Sequence, residues 1–110
     1  MDIQKRVTNA VTIIELQGRL DAHQSQKVNA LLFDPAASSS RTVVNLSKVH
    51  FIDSTGLATL VKGMKHHREH AGDMILCELQ QPVRIIFELT RLDRVFDIYS
   101  TEADALQALN

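Results

Sequence analysis

A serine or threonine hydroxyl becomes chemically useful where the backbone carries it to the surface beside groups that recognise an anion. Residues 43–60 have that form: an apolar strand, a short turn, then Asp53, Ser54, Thr55, Gly56 and Leu57 where a helix begins. The first amides of any helix lack intrahelical partners and lie at the positive end of the peptide dipoles, so this junction suits a phosphate. A hydroxyl placed there can be modified without breaking the fold. Ser54 and Thr55 are the two candidate hydroxyls, and taken by themselves both have the chemistry of helix caps. Asp53 is expected to cap the helix, to assist phosphate transfer, or both. Gly56 is expected to permit close approach of another backbone.

Other reactive residues give weaker patterns. Asp21, with Gln24 three positions on, has the form of a helix N-cap with a capping-box partner. His66 and His70 lie one helical turn apart with Glu69 between them, but a zinc-protease helix needs glutamate directly after its first histidine, and His67 occupies that place. The cluster is expected to be a solvated helix end interacting with the dipole, without metal. His23 and His50 are isolated. A serine-hydrolase elbow needs glycine two residues before its nucleophile, where this chain has Ile52, so no catalytic residue is assigned. Cys77 has no second cysteine to pair with and sits in a short apolar run, the setting of a small buried hydrophobe. No cofactor is implied.

The elements that position these residues follow from periodicity. Segments 3–7 and 11–16 are rich in β-branched residues and are expected to form a hairpin around Thr8, Asn9 and Ala10, with a turn at Gly18. Val28, Leu31 and Leu32 form the apolar stripe of a first helix that stops at Asp34 and Pro35, before the polar connector 36–40. Strand 41–47 has apolar residues on both faces, as a central strand should. Leu57, Leu60, Val61 and Met64 mark the second helix, closed by Gly72 in a left-handed conformation. Strand 74–79 precedes a helix opened by Pro82, with Val83, Ile86, Phe87 and Thr90 facing inward. A short strand at 96–99 and a terminal helix, capped by Thr101 with Asp104 and anchored by Leu106 and Leu109, complete the order β-β-α-β-α-β-α-β-α. Strands joined through helices favour parallel pairing, so the expected fold is α/β: a mixed, mostly parallel sheet with about four helices.

A chain of 110 residues is expected to be one domain, with 45% hydrophobic residues and no apolar run of membrane-spanning length. The N-terminus lacks the layout of a secretory signal, so a soluble, cytoplasmic protein is expected. Twelve basic and thirteen acidic residues leave a net charge of -1, which gives no case for nucleic acid or membrane as partner and favours proteins.

Residues 43–60, with Asp-Ser-Thr-Gly-Leu at their centre, resemble the signature of the STAS domain and of the bacterial anti-sigma factor antagonists in particular. Gly18 to Asp21 resemble the turn that opens that family's first helix, and Leu92 to Phe96 with Ala105 and Leu106 resemble its C-terminal end. The resemblance implies one STAS domain over residues 1–110. It also implies a partner that is both anti-sigma factor and serine kinase and that phosphorylates Ser54, and a phosphatase of the PP2C type that restores the hydroxyl. Unphosphorylated protein would hold the anti-sigma factor through Asp21, Asp53, Ser54, Thr55, Gly56 and Leu57, and phosphorylation would release it. Arg91 departs from the family pattern, which often has glycine after the third helix; a positive φ there costs Arg91 about 1 kcal/mol. The alternative within the family is an adaptor module of a transport or signalling assembly that is not phosphorylated.

Overall fold

The computed structural model describes residues 1–33 and 41–109; the expected helix stop at Asp34 and the connector 36–40 lie outside them. The element order is β1 (Asp2–Thr8), β2 (Val11–Leu20), α1 (Ala22–Leu32), β3 (Arg41–Ile52), α2 (Ser54–Glu69), β4 (Asp73–Cys77), α3 (Gln81–Leu89), a 3-10 turn (Leu92–Arg94), β5 (Ile98–Tyr99) and α4 (Glu102–Leu109). The sheet order is β1-β2-β3-β4-β5, with β1 antiparallel to β2 and every later pair parallel. Among the described residues this is the mixed α/β sheet with four helices that the periodicity implies.

The hairpin is tighter than expected. Thr8 pairs with Val11, and the two loop residues Asn9 and Ala10 both take positive φ, 49° and 64°, the twist that matches a two-residue hairpin. Gly18 is not a turn. It lies inside β2 at φ 115°, where the pairing with β3 shifts register, so the strand runs on to Leu20. The same irregularities carry β3 past residue 47 to Ile52, because they reset which side chains face the core and hide the continued strand from simple alternation.

The main core lies between the sheet and helices α1 to α3. Ile14, Leu16 and Leu20 of β2, Val44 and Leu46 of β3, Leu76 of β4, Val28 and Leu32 of α1, Leu60 and Met64 of α2, and Val83 and Phe87 of α3 meet there. Phe96 joins them edge-on to Phe87, 5.8 Å between ring centroids, so it belongs to the core while β5 begins only at Ile98. Thr90 does not face inward. It is exposed at the end of α3, its hydroxyl donating to Ile86 O at 2.7 Å. β4 ends at Cys77, before the expected limit, because Glu78 turns the chain with φ 57°.

α4 covers part of the opposite sheet face, packing Ala105 and Leu109 on Val11, Ile13, Val43, Ile75 and Cys77. Asp104 N donates to the Thr101 hydroxyl at 3.1 Å, which is the expected cap. The Glu102 carboxylate fastens the helix start, accepting from Arg6 at 2.5 Å and from Asn45 Nδ2 at 3.1 Å. Burial pushes the Glu102 carboxyl up, but those hydrogen bonds and the Arg6 charge outweigh it and hold it below the usual carboxylate range. Cys77 is fully buried beneath α4, and burial pushes its thiol up to about 12. Among the described residues no helix is long and apolar enough to cross a membrane.

Candidate functional site

Two parallel strands that end side by side place two helix starts side by side. β2 and β3 finish in register at Leu20 and Ile52, and each is followed by an aspartate: Asp21 before α1 and Asp53 before α2. Both aspartates are extended and cap their own helix. Asp21 Oδ1 accepts from the amides of His23 at 3.1 Å and Gln24 at 3.3 Å, while Asp53 Oδ1 accepts from the amide of Gly56 at 2.8 Å. Gln24 does not complete a capping box; its side-chain oxygen accepts instead from the N-terminal amine of Met1 at 3.4 Å.

The second oxygen of Asp53 joins the two starts. Asp53 Oδ2 accepts from Ala22 N at 3.2 Å, and Asp53 N donates to Leu20 O at 3.2 Å. One carboxylate therefore caps α2 and ties down the first residue of α1. Gly56 makes this possible: a Cβ at that position would sit 2.3 Å from Leu20 O and 3.0 Å from both Leu20 Cγ and Ile52 Cγ1. The close backbone approach expected of Gly56 is thus a contact between the first turn of α2 and the end of β2.

Ser54 and Thr55, the first two residues of α2, are exposed, and Leu57 is half-buried against the core. The amides of Ser54 and Thr55 are among those that any helix start leaves without an intrahelical partner. All six residues singled out in the sequence, Asp21, Asp53, Ser54, Thr55, Gly56 and Leu57, fall on this one end of the sheet. Nearby, Arg19 lies 4.0 Å above the ring of Phe51 and 3.8 Å from Asp21 Oδ2, which adds a cation at the edge of the face.

Sequence reasoning missed Ala22, whose contribution is a backbone amide and carries no side-chain signal. It also misplaced His67, which is fully buried instead of solvated: Nδ1 donates to Gly63 O at 2.8 Å and Nε2 meets the Thr42 hydroxyl at 3.0 Å. The available signal was that His67 continues the stripe of Leu60 and Met64 at i, i+4, i+7. His70 is exposed at the end of α2, whereas His66 is half-buried, its ring 4.7 Å from that of Phe33 and 4.3 Å from that of His70. No cluster of three or more metal-ligating side chains occurs among the described residues. Gly72 does not close α2 in a left-handed conformation. Ala71 does, at φ 62°, while Gly72 N donates to His67 O at 2.8 Å one position later. Arg91 takes the positive φ of 62° that its position demands.

The STAS domain family model matches residues 2–105. The chain is 29% identical over 112 residues to the anti-sigma F factor antagonist of Paenibacillus polymyxa, covering 99% of this chain and 95% of that one. Among solved structures, it is similar to an anti-sigma-factor antagonist (STAS) domain protein from Planctomyces limnophilus, with 26% identity, a TM-score of 0.85, and coverage of 98% of this chain and 97% of that one. It is also similar to the anti-sigma factor antagonist SpoIIAA in its unphosphorylated form, with 25% identity, a TM-score of 0.80, and coverage of 98% of this chain and 96% of that one. With the family model matched over nearly its whole length, the chain belongs to the STAS domain family.

Proposed function

We propose that this protein is an anti-sigma factor antagonist and that Ser54 is its switch. Unphosphorylated, it holds an anti-sigma factor that is also a serine kinase; phosphate on Ser54 releases that partner, and a PP2C-type phosphatase resets the hydroxyl. The protein acts by binding and catalyses nothing itself. The observation that carries this reading is an exposed serine at the first position of α2, beside a carboxylate already engaged by two backbone amides.

The switch acts on binding and leaves the fold intact. Phosphate adds about -1.5 to -2 charges and three acceptors. The helix N-terminus favours that charge by up to ~2 kcal/mol, while Asp53 repels it and already occupies the amides of Gly56 and Ala22, so the two effects largely offset. A partner closing over Ser54 has no such compensation, because an unpaired buried charge costs several kcal/mol. Losing even ~3 kcal/mol weakens binding more than a hundredfold.

Intact-mass analysis and fragmentation of protein purified from its own cells tests the modification: a partial phosphate adduct on Ser54, removed by phosphatase, is expected. Ser54→Asp should abolish binding to the cognate anti-sigma factor, and Ser54→Ala should stay bound when kinase and ATP are present. Unmodified Ser54, with Ser54→Asp binding as tightly as the parent, would instead identify an adaptor that is not phosphorylated.

A further inference from the structure

The face of α2 that carries Ser54 continues into an apolar strip that the core only half covers: Leu57, Val61 and Ile86 are half-buried against it, and Leu89 is exposed. Residues of α1, α2 and α3 share one core on one face of the sheet, and right-handed crossovers between successive parallel strands set these helices side by side in that order. α2 turns Gly56 and Gly63 toward Leu20 and Leu32, the side of α1. Leu57 and Val61, about 100° and 140° further around the helix than Gly56, therefore turn toward α3. On α3, Val83 and Phe87 fill the core, yet Pro82, Ile85, Ile86 and Leu89 recur at i, i+3, i+4, i+7 on the flank toward α2. Leu89 is 78% exposed and Ile85 43%. Single exposed apolar residues need no explanation, but a periodic second stripe on a helix whose first stripe already fills the core does.

The charges around the strip indicate its occupant. From Ser54 to Arg68, α2 contains no acidic residue, and Lys62 and Lys65 are exposed along its outer edge. The acid of α3, Glu88, stands with Arg84 on the flank away from α2. The geometry points to an acidic amphipathic helix of the partner protein, about three turns long, lying with its apolar side on Leu57, Val61, Ile86 and Leu89 and its carboxylates toward Lys62 and Lys65. This rests on the switch reading above and gives it a mechanism. Ser54 shares one side of α2 with Leu57, Ala58 and Val61, so a phosphate there meets the acidic flank of the occupant and repels it.

The test is an NMR titration of the full-length, isotope-labelled chain with two synthetic peptides. One is a helix-forming 16-mer with leucines at i, i+3, i+4, i+7 and glutamates elsewhere; the other replaces each glutamate by lysine. The acidic peptide is expected to shift resonances of residues 57–65 and 82–89 saturably, with the lysine peptide at least about tenfold weaker. Leu89→Ser, at a position too exposed to unfold the domain, and the pair Lys62→Glu with Lys65→Glu should each weaken binding about tenfold, and Ser54→Asp several-fold. The inference is overturned if the acidic peptide gives no saturable shift at about 1 mM, if its shifts map elsewhere, or if both peptides bind alike. A peptide that maps to the strip while a Ser54→Asp chain still holds the anti-sigma factor leaves this surface standing and removes the switch. A switch that works with no peptide binding removes this surface alone.

Discussion

Gly56→Ala tests the packing that seats Ser54. The new Cβ would start 2.3 Å from Leu20 O, and real Cβ contacts begin near 3.0 Å, so α2 must move away from the end of β2 by at least about 0.7 Å. The obstacle is a backbone oxygen in a strand, which cannot rotate aside as a side chain can. Moving α2 stretches two hydrogen bonds that are already 3.2 Å long, Asp53 N to Leu20 O and Ala22 N to Asp53 Oδ2. Each contributes about 1 kcal/mol, and overpacking adds about 1–3 kcal/mol. The better helix propensity of alanine returns about 1 kcal/mol. The net expected loss is ~2–4 kcal/mol, a fall in Tm of about 10 °C or more for a domain of this size. Urea denaturation read by far-UV circular dichroism gives the number directly, provided the m-value is unchanged. Gly63→Ala is the internal control: its Cβ meets mainly the Leu32 side chain, with Cδ1 at 2.7 Å, which can repack, so its loss should be well under that of Gly56→Ala. A Gly56→Ala protein within about 0.5 kcal/mol of the parent, or less affected than Gly63→Ala, would refute the reasoning.

Ala71→Gly relieves a left-handed alanine in the C-terminal cap of α2 and should raise stability by about 0.5–1 kcal/mol in the same denaturation assay, the relief of about 1–2 kcal/mol being partly offset by the greater freedom of glycine when unfolded. Asp53→Ala removes an acceptor from two helices together, so amide hydrogen exchange should accelerate at both Ala22 and Gly56, with ~1–2 kcal/mol of stability lost. Glu102 has its carboxyl held below its unfolded value, so its contribution is present above about pH 4.3 and is lost as pH falls through the folded value; Glu102→Gln should flatten the stability profile over that acidic window in denaturation series run at several pH values. Cys77, buried and with its thiol raised to about 12, should resist a thiol reagent at pH 8 in the folded protein and react fully once urea unfolds it.

Much of this architecture is legible in the sequence because its signals are local. The hairpin segments rich in β-branched residues, the stripe of Leu57, Leu60, Val61 and Met64, and the cap signals at Asp21, Asp53 and Thr101 each state their element within a few residues. What escaped was set by distant parts of the chain. β3 reaches Ile52 because β2 pairs with it through register shifts that break the alternation, which Val49, Phe51 and Ile52 do not settle by residue type alone. Ala71 and not Gly72 takes the left-handed position because the cap is fixed by where α2 stops, and the tertiary fold overrides the usual preference for glycine. His67 is buried because its helix face points at Thr42 on the neighbouring strand, which charge and polarity alone do not foretell. At the candidate site the side chains were legible and the backbone partners were not: the Leu20 carbonyl and the Ala22 amide leave no trace in residue type.

The bridge from Asp53 to Ala22 spans 31 positions of sequence. A short synthetic fragment covering residues 43–60 would contain every side chain of the serine motif and yet lack the amide that orients its carboxylate and the carbonyl against which Gly56 rests. Such a fragment is a poor stand-in for the whole domain as bait or inhibitor. Any attempt to transplant this motif onto another scaffold must carry over both strand ends together.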